Sequence, residues 1–561
     1  MKKFCKKIYE WFNRKIEEPI ENEKILTKFL NWFNSNKKIA FFVTLLVGII
    51  THITMMTETI MSQDGLWNSM EYSRSGAFEM TLGRWGIELI QRGNFYVALP
   101  TISTISCILV IALSAVFIVD LFELKNKLYI FLTSALFAVT PTLTVTLLYI
   151  YTAFAYCTNL LISILVIWFI YKFSHKKIGL VIATLLFALS LSIYQSYAGV
   201  TVGLCVMMAI MSLIKNDKKI RNIFLEILKT ICVVIIGGLL YYGLTTILLK
   251  INNISLSTYK GLNSFSIKDI LLGLGTTIPN CYNDFMKFFF KDTIVYNINY
   301  RREIFYGIFF IIAGTLTIIS CFNIKEDSKK IKIIRSILVI IFVLILPIAL
   351  NIIDILVVQN EIYALTAMQM ILVVPLSFAI FENINKCNIM KWIAVLSCFY
   401  VVFTYYIADN ASYAALKIRY NQAYGIMSRV IDRIESTPGY NKDFPVCIAG
   451  MIGDDNYPQV SSLIGYSVGS VFKNPVFHGS YYGLRDTTHQ FIKIFFGKDY
   501  KIAHDALYEL VLNDEHFKEL ENFPNENCSA VIADTMVIRI SDYIPMPDGS
   551  IYNNYVWEGA E

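Results

Sequence analysis

Charge is what this sequence has least of. Asp, Glu, Lys and Arg make up 16% of its 561 residues, where a soluble globular chain carries about a quarter. The charge that is present falls in clusters, so that none stands between Lys127 and Lys172 or between Lys177 and Lys215. A soluble fold has no need of runs this long. A bilayer does, because a charged side chain at its centre costs about 2.5–3.5 kcal/mol on insertion scales.

Metal and nucleotide chemistry also lack their usual residues. The chain has six histidines and eleven cysteines, but no CxxC and no Cys/His cluster. His478, His489, His504 and His516 do not have ligand spacing, so no metal site is expected. Cys107, Cys157, Cys205, Cys232, Cys321 and Cys398 lie in apolar runs, where a thiol is an ordinary small hydrophobe. Cys447 and Cys528 share the C-terminal region, as either a disulfide or two core thiols. No glycine-rich nucleotide loop opens a helix. No cleavable signal peptide is expected. The net charge of +6 sits mostly beside the ends of apolar runs and gives no reason to expect nucleic acid.

What fills the chain instead is hydrophobic sequence, 55% of it. Nine apolar stretches are evident: Ile39–Thr57, Phe95–Val119, the two charge-free runs, Thr230–Leu249, Ile304–Ile324, Ser336–Ile353, Ile362–Phe381 and Trp392–Ala408. The two charge-free runs are each long enough for a helical hairpin, turning near Tyr149–Tyr151 and near Tyr194–Tyr197, and the others approach the roughly 20 residues that cross hydrocarbon. The expectation is an α-helical polytopic membrane protein of about eleven transmembrane helices over residues 39–408.

Residues 1–38 read as a basic amphipathic segment on the cytoplasmic face, with Trp11, Phe12, Phe29 and Trp32 among its apolar positions. Residues 409–561 read as a small α/β domain: Ala411–Ile434 is periodic and helical, Phe444–Gly450 and Ala530–Ile540 read as strands, and helices fall around 487–496 and 504–512.

Orientation follows from the basic residues. Lys125/Lys127, Lys172/Lys176/Lys177, Lys215/Lys218/Lys219/Arg221, Lys325/Lys329/Lys330/Lys332 and Lys386/Lys391 fall in alternate loops, on the side of the basic N-terminus, which the positive-inside rule assigns to the cytoplasm. Loops 58–94 and 251–303, the turn at Tyr194 and the C-terminal domain then lie outside.

The first outer loop is unusually charged. It reads Gln63-Asp64-Gly65-Leu66-Trp67, then Glu71, Arg74, Glu79 and Gly83-Arg84-Trp85. A partly desolvated carboxylate beside aromatics can act as a general base toward a hydroxyl, and arginine offers a planar fork to phosphate oxygens. A solvated loop with surface ion pairs is the plain alternative, and charge alone does not choose between them.

Asp64, Gly83-Arg84 ahead of the second span, and Ser192-Ile193-Tyr194-Gln195-Ser196-Tyr197-Ala198 at a later outer turn resemble the bacterial O-antigen glucosyltransferases of the Gtr type (GtrII-like), which are membrane enzymes of the GT-C class. The likeness runs through roughly residues 40–410. It implies glucose, or a related hexose, carried on polyprenyl phosphate at the outer face of the bacterial cytoplasmic membrane. The acceptor would be a cell-envelope glycan or its lipid-linked precursor.

It further implies that Asp64 deprotonates the acceptor, that the product is inverted, and that Arg84 stabilises the departing phosphate together with Arg74 or Lys291. A polyprenyl-phosphate glucose synthase and a flippase would act upstream. No organic cofactor is implied, and a divalent metal stays open. An envelope-glycan polymerase or ligase, or a GT-C enzyme for another sugar, shares these features. A lipid or solute transporter fits less well, since the spans carry so little charge.

Smaller candidates remain at this face. Tyr194, Gln195 and Tyr197 suit stacking on and hydrogen bonding to a sugar, although tyrosines also form interfacial belts; Tyr149 and Tyr151 read as belt. Glu58 and Glu71 are secondary candidates for supporting the loop. Asp284–Asp292 reads as an interfacial helix bringing Lys291 to the headgroups, and Arg301 with Arg302 runs against the positive-inside trend, as an anion site or by snorkelling. Gly450–Asp455 resembles a ligand-binding turn, though an ordinary loop accounts for it. The C-terminal domain is a candidate cap that selects the acceptor.

Overall fold

A charge-free run in lipid must satisfy its own backbone, and the helix does this within a single segment. The computed structural model describes residues 31–68, 77–93, 95–96, 98–173, 176–257, 267–291, 301–326, 328–356, 364–451 and 481–554. Among these, nine helices are long and apolar enough to cross a membrane, and Lys177–Ile193 and Met368–Glu382 are shorter apolar helices. Together they coincide with the apolar stretches of the sequence, and the chain is a polytopic α-helical membrane protein. Most of the expected N-terminal amphipathic segment, Glu71, Arg74 and residues 452–455 lie outside the described residues.

Local chemistry sets the helix ends. The Asn34 side chain caps Ser35–Thr57 by accepting from the Lys37 N–H, and Pro100 opens Pro100–Phe122, where the missing N–H costs nothing. Glu123 and Asn216 end their helices in left-handed conformation. Pro141 divides Lys127–Leu148 at Thr140. The hairpins turn at Tyr149 and Tyr194, as expected.

At the basic-loop end the helices are tied by ionic contacts. Lys37 pairs with Asp120 at 2.6 Å, and Glu123 meets both Lys172 and Lys215. Glu382 accepts from the backbone N–H groups of Lys125 and Asn126.

The last membrane helix departs from the expected boundary at 408/409. It continues without a break from Asn388 to Ser436, 49 residues in all. The charge that suggested an end, Asp409, is fully buried against protein. Beyond it a three-stranded sheet forms, with β1 (Val446–Ala449) parallel to β3 (Thr535–Arg539) and β2 (Ser529–Ile532) antiparallel to β3.

The single strand expected at 530–540 is therefore a hairpin. Ala533 and Asp534 turn it with φ of 48° and 54°, the conformation that matches the twist of paired strands. Cys447 and Cys528 are free, buried thiols.

Candidate active site

The end of the bundle opposite the basic loops carries most of the predicted site residues. Asp64 lies in the first turn of a short helix, Gln63–Trp67, which is anchored at both of its faces. The Ser62 hydroxyl accepts from the Gly65 N–H at 3.2 Å and donates to the Leu148 carbonyl at 3.1 Å, and the Ser62 N–H donates to the same carbonyl at 3.0 Å. Leu148 ends the helix before the first hairpin turn, so the carboxylate-bearing helix rests on that tip.

Gly65 permits the close approach. A Cβ there would stand 2.9 Å from the Met61 Cβ and 3.0 Å from the Leu148 oxygen. The other side is covered by Tyr481–Phe496 of the C-terminal region, which packs against this helix.

The Asp64 side chain is open to solvent on one side but ringed by protein, and this burial raises its carboxyl pKa above the ordinary value of 3.8. A carboxyl shifted in this direction is a better proton acceptor when ionised. Its neighbour is Tyr151, whose hydroxyl lies within electrostatic range of both Asp64 and Glu79. Gln91 holds the same hairpin tip through a 2.8 Å bond from its amide to the Tyr151 carbonyl.

Gly83 and Arg84 form a turn stitched to three helices. Gly83 has φ +69°, and a Cβ there would stand 2.4 Å from the Tyr241 hydroxyl oxygen. The Arg84 N–H donates to the Glu79 carbonyl at 2.9 Å. Gln195 donates from its amide to the Leu82 carbonyl and to the Tyr241 hydroxyl, both at 2.9 Å. Both hydrogens of that amide are thus committed to holding the turn. Trp85 bonds to Thr245 at 3.0 Å, and Gly86 sits so tightly that a Cβ would stand 2.2 Å from the Ser192 oxygen.

Above the turn the Arg84 guanidinium lies 4.6 Å from the centre of the Tyr194 ring. That ring is 2% exposed and stacks on Tyr156 at 4.7 Å, while its carbonyl accepts from the Asn159 amide at 3.1 Å. Tyr197 is buried behind it, 6.0 Å between ring centres. Tyr194 is thus a floor beneath Arg84, and its ring faces are covered by protein. Tyr151, which reads from sequence as interfacial belt, has its hydroxyl within electrostatic range of Asp64 and Glu79.

The remaining candidates are placed elsewhere at this end. Glu58 ends the first span and forms an ion pair with Lys417. Lys291 closes Ile267–Phe290 as an exposed side chain, and Arg301 is exposed with φ +53°. Ile267–Phe290 packs chiefly against Ile352–Leu356 and the helix Arg302–Phe322 that follows Arg301, and the latter packs chiefly against Asn388–Ser436.

The buried member of the arginine pair is Arg302, 1% exposed, with its guanidinium 5.5 Å from the Tyr405 ring. Tyr405 in turn shares a 3.0 Å hydrogen bond with Tyr306. Arg301 stands outside the helix Arg302–Phe322 as its left-handed cap residue, whereas Arg302 is the first helical residue, and this separates exposed Arg301 from buried Arg302. Among the described residues no three His, Cys, Asp or Glu side chains converge as a metal site.

A carboxylate on one hairpin tip and an arginine on the next, at the same end of the bundle, can serve a reaction in which a proton leaves one oxygen while negative charge builds on another. Comparison with known families makes the class definite. The family model for glucosyl transferase GtrII matches residues 53–377, more than half of the chain. The chain belongs to the GtrII glucosyltransferase family. It is a membrane-embedded glycosyltransferase. No curated protein matches it.

The stretch shared with the GtrII family runs from the first span into Val373–Glu382 and takes in Asp64, Gly83, Arg84, Tyr194, Gln195, Tyr197, Lys291 and Arg301. Asn388–Ser436 and the sheet lie beyond it. Neither Tyr241 nor Tyr156, which shape the turn and the floor, stood out in the sequence, because neither is the only tyrosine of its largely apolar helix.

Proposed function

We propose that this glucosyltransferase moves a hexose, glucose first among them, from a polyprenyl phosphate to a cell-envelope glycan or its lipid-linked precursor at the outer face of a bacterial cytoplasmic membrane. The observation that carries this reading is that Asp64 rests on the tip of the first hairpin, through Ser62 on Leu148, and Arg84 on Tyr194 at the tip of the second, both at the end opposite the lysine-rich loops. The positive-inside rule assigns the lysine-rich end to the cytoplasm, where nucleotide sugars are confined. A donor used at the other end is then lipid-borne.

In this reading the ionised Asp64 carboxylate takes the proton of the acceptor hydroxyl. The acceptor oxygen forms its bond to the anomeric carbon as the carbon–oxygen bond to phosphate breaks on the opposite face, which inverts the configuration. Polyprenyl phosphate leaves with the bonding electrons. Arg84, held over Tyr194, stabilises the charge that builds there, together with Arg74 or Lys291. Gly83 and Gln195 hold the turn, and Tyr197 backs the floor. Lys291, Arg301 and Glu58 border the lipid side of the same face, and the C-terminal residues cap it and select the acceptor.

The test uses the full-length protein in lipid vesicles with polyprenyl-phosphate glucose and a lipid-linked glycan acceptor. Release of free polyprenyl phosphate together with a glucosylated acceptor is the expected result. Glucose transfer from a nucleotide sugar, with the lipid donor left intact, would overturn the proposal. Reagent labelling that finds position 64 accessible only from the cytoplasmic side would do the same.

A further inference from the structure

The helix Asn388–Ser436 touches the approach to Asp64 at regular intervals. Tyr413, Lys417 and Tyr420 stand at spacings of four and three on that helix, so they share a face. They meet His52, Glu58 and Met61, which lead in order toward Asp64. Tyr413 shares a 2.8 Å hydrogen bond with His52, Lys417 pairs with Glu58, and Tyr420 closes the series at Met61.

This last contact is double. The Tyr420 hydroxyl donates to the Met61 carbonyl at 2.9 Å and accepts from the Met61 N–H at 3.2 Å. Met61 is fully buried and immediately precedes Ser62, whose hydroxyl caps the Asp64 helix. The Tyr420 ring, 5% exposed, packs on Phe491 and Phe495 with centres 6.0 and 5.8 Å away. Those two residues belong to Tyr481–Phe496, the helix that also covers Gln63–Trp67. One side chain therefore joins the loop backbone to the C-terminal region, and all of these partners past residue 377 lie outside the GtrII match.

We propose that Tyr420 is a positioning residue for Asp64, through which the Asn388–Ser436 helix and the C-terminal region set the pose of the carboxylate. The inference rests on Asp64 being the base. Tyr420 touches no reacting atom; its hydroxyl fixes both polar groups of the Met61 peptide, so the short helix that follows has one place to start. Displacement of a reacting group by about 1 Å is enough to lower a rate on the order of a hundredfold.

Tyr420→Phe removes both hydrogen bonds and keeps the ring on Phe491 and Phe495. In the full-length protein in lipid, kcat is expected to fall by about tenfold to a hundredfold with the donor KM within about twofold of wild type. Amide hydrogen exchange in the peptide covering 61–68 is expected to rise about tenfold while the spans stay protected.

An unchanged kcat would overturn the proposal. So would a fall in kcat with unchanged exchange at 61–68, or with exchange raised equally throughout, since either pattern removes the local tether as the cause. Asp64→Asn is measured alongside. Wild-type turnover in that variant would remove the base assignment itself, whatever Tyr420→Phe does, so the two failures are told apart.

Discussion

The Arg84 guanidinium lies over Tyr194 with its central carbon 4.6 Å from the ring centre, joining a loop before the second span to a turn more than a hundred residues later. A planar cation on an aromatic face is a geometry that lysine does not reproduce. Arg84→Lys is therefore expected to lower the transfer rate on the order of 10²–10³-fold, the usual loss of a preorganised charge-stabilising group. Tyr194→Phe, which keeps the face, should stay within about threefold of wild type, and Tyr194→Leu should approach Arg84→Lys. Rates of polyprenyl phosphate release from the three purified variants decide this.

Asp64→Asn should abolish transfer while the protein still inserts and binds donor. Because burial raises the Asp64 carboxyl pKa above its ordinary 3.8, the acidic limb of the wild-type rate profile should lie above that ordinary aspartate value, with activity falling as pH drops through it. The stability effect has the opposite sense. A carboxyl raised in the folded state opposes folding at neutral pH, and that opposition disappears below its unfolded value. The Asn variant should thus unfold at neutral pH no earlier than wild type, as thermal melts in detergent would register.

Gly83→Ala places a Cβ 2.4 Å from the Tyr241 oxygen on a backbone at φ +69°. Both the contact and the left-handed conformation count against it, at about 1–2 kcal/mol for the backbone alone. Loss of most activity and a lowered melting midpoint are expected. Adding Tyr241→Phe removes the oxygen and should restore part of the midpoint, but it also takes a partner from Gln195, so activity should recover less.

In the C-terminal region, burial lowers the His489 pKa from 6.5 to about 4. The unfolded chain binds a proton at this residue before the folded one does, so stability falls as pH drops from about 6.5 toward 4 and is fully present above that window. The loss is on the order of 3 kcal/mol. His489→Gln should flatten this part of the pH–stability curve, monitored by hydrogen exchange in peptides around 481–496.

Much of this architecture was legible in the sequence because a bilayer tolerates few alternatives. With no charge between Lys127 and Lys172, the run had to be helical and had to turn, and it turns at Tyr149. What escaped reading was burial inside protein. Asp409 looked like the end of a span because charge avoids lipid, yet it is enclosed by neighbouring helices, which lipid arguments do not address.

The same limit applies at the site. Asp64, Gly83 and Arg84 could be singled out by type and place, and the turn at 194–197 by its polarity. Which ring faces would be covered could not be read, because Tyr194 and Tyr151 present the same residue at the tips of two similar hairpins. Only their partners, Arg84 and Tyr156 for one and the neighbourhood of Asp64 for the other, tell them apart.

A helix of 49 residues is about 74 Å long, and hydrocarbon accounts for only about 30 Å of it. Some 40 Å of stiff rod therefore projects past the lipid. A change of a few degrees in its inclination swings the far end by several ångströms. Bilayer thickness alters inclination, so the acyl-chain length of the surrounding lipid becomes an adjustable input to the enzyme: turnover in vesicles should pass through an optimum as chain length is varied, even though no lipid headgroup has changed.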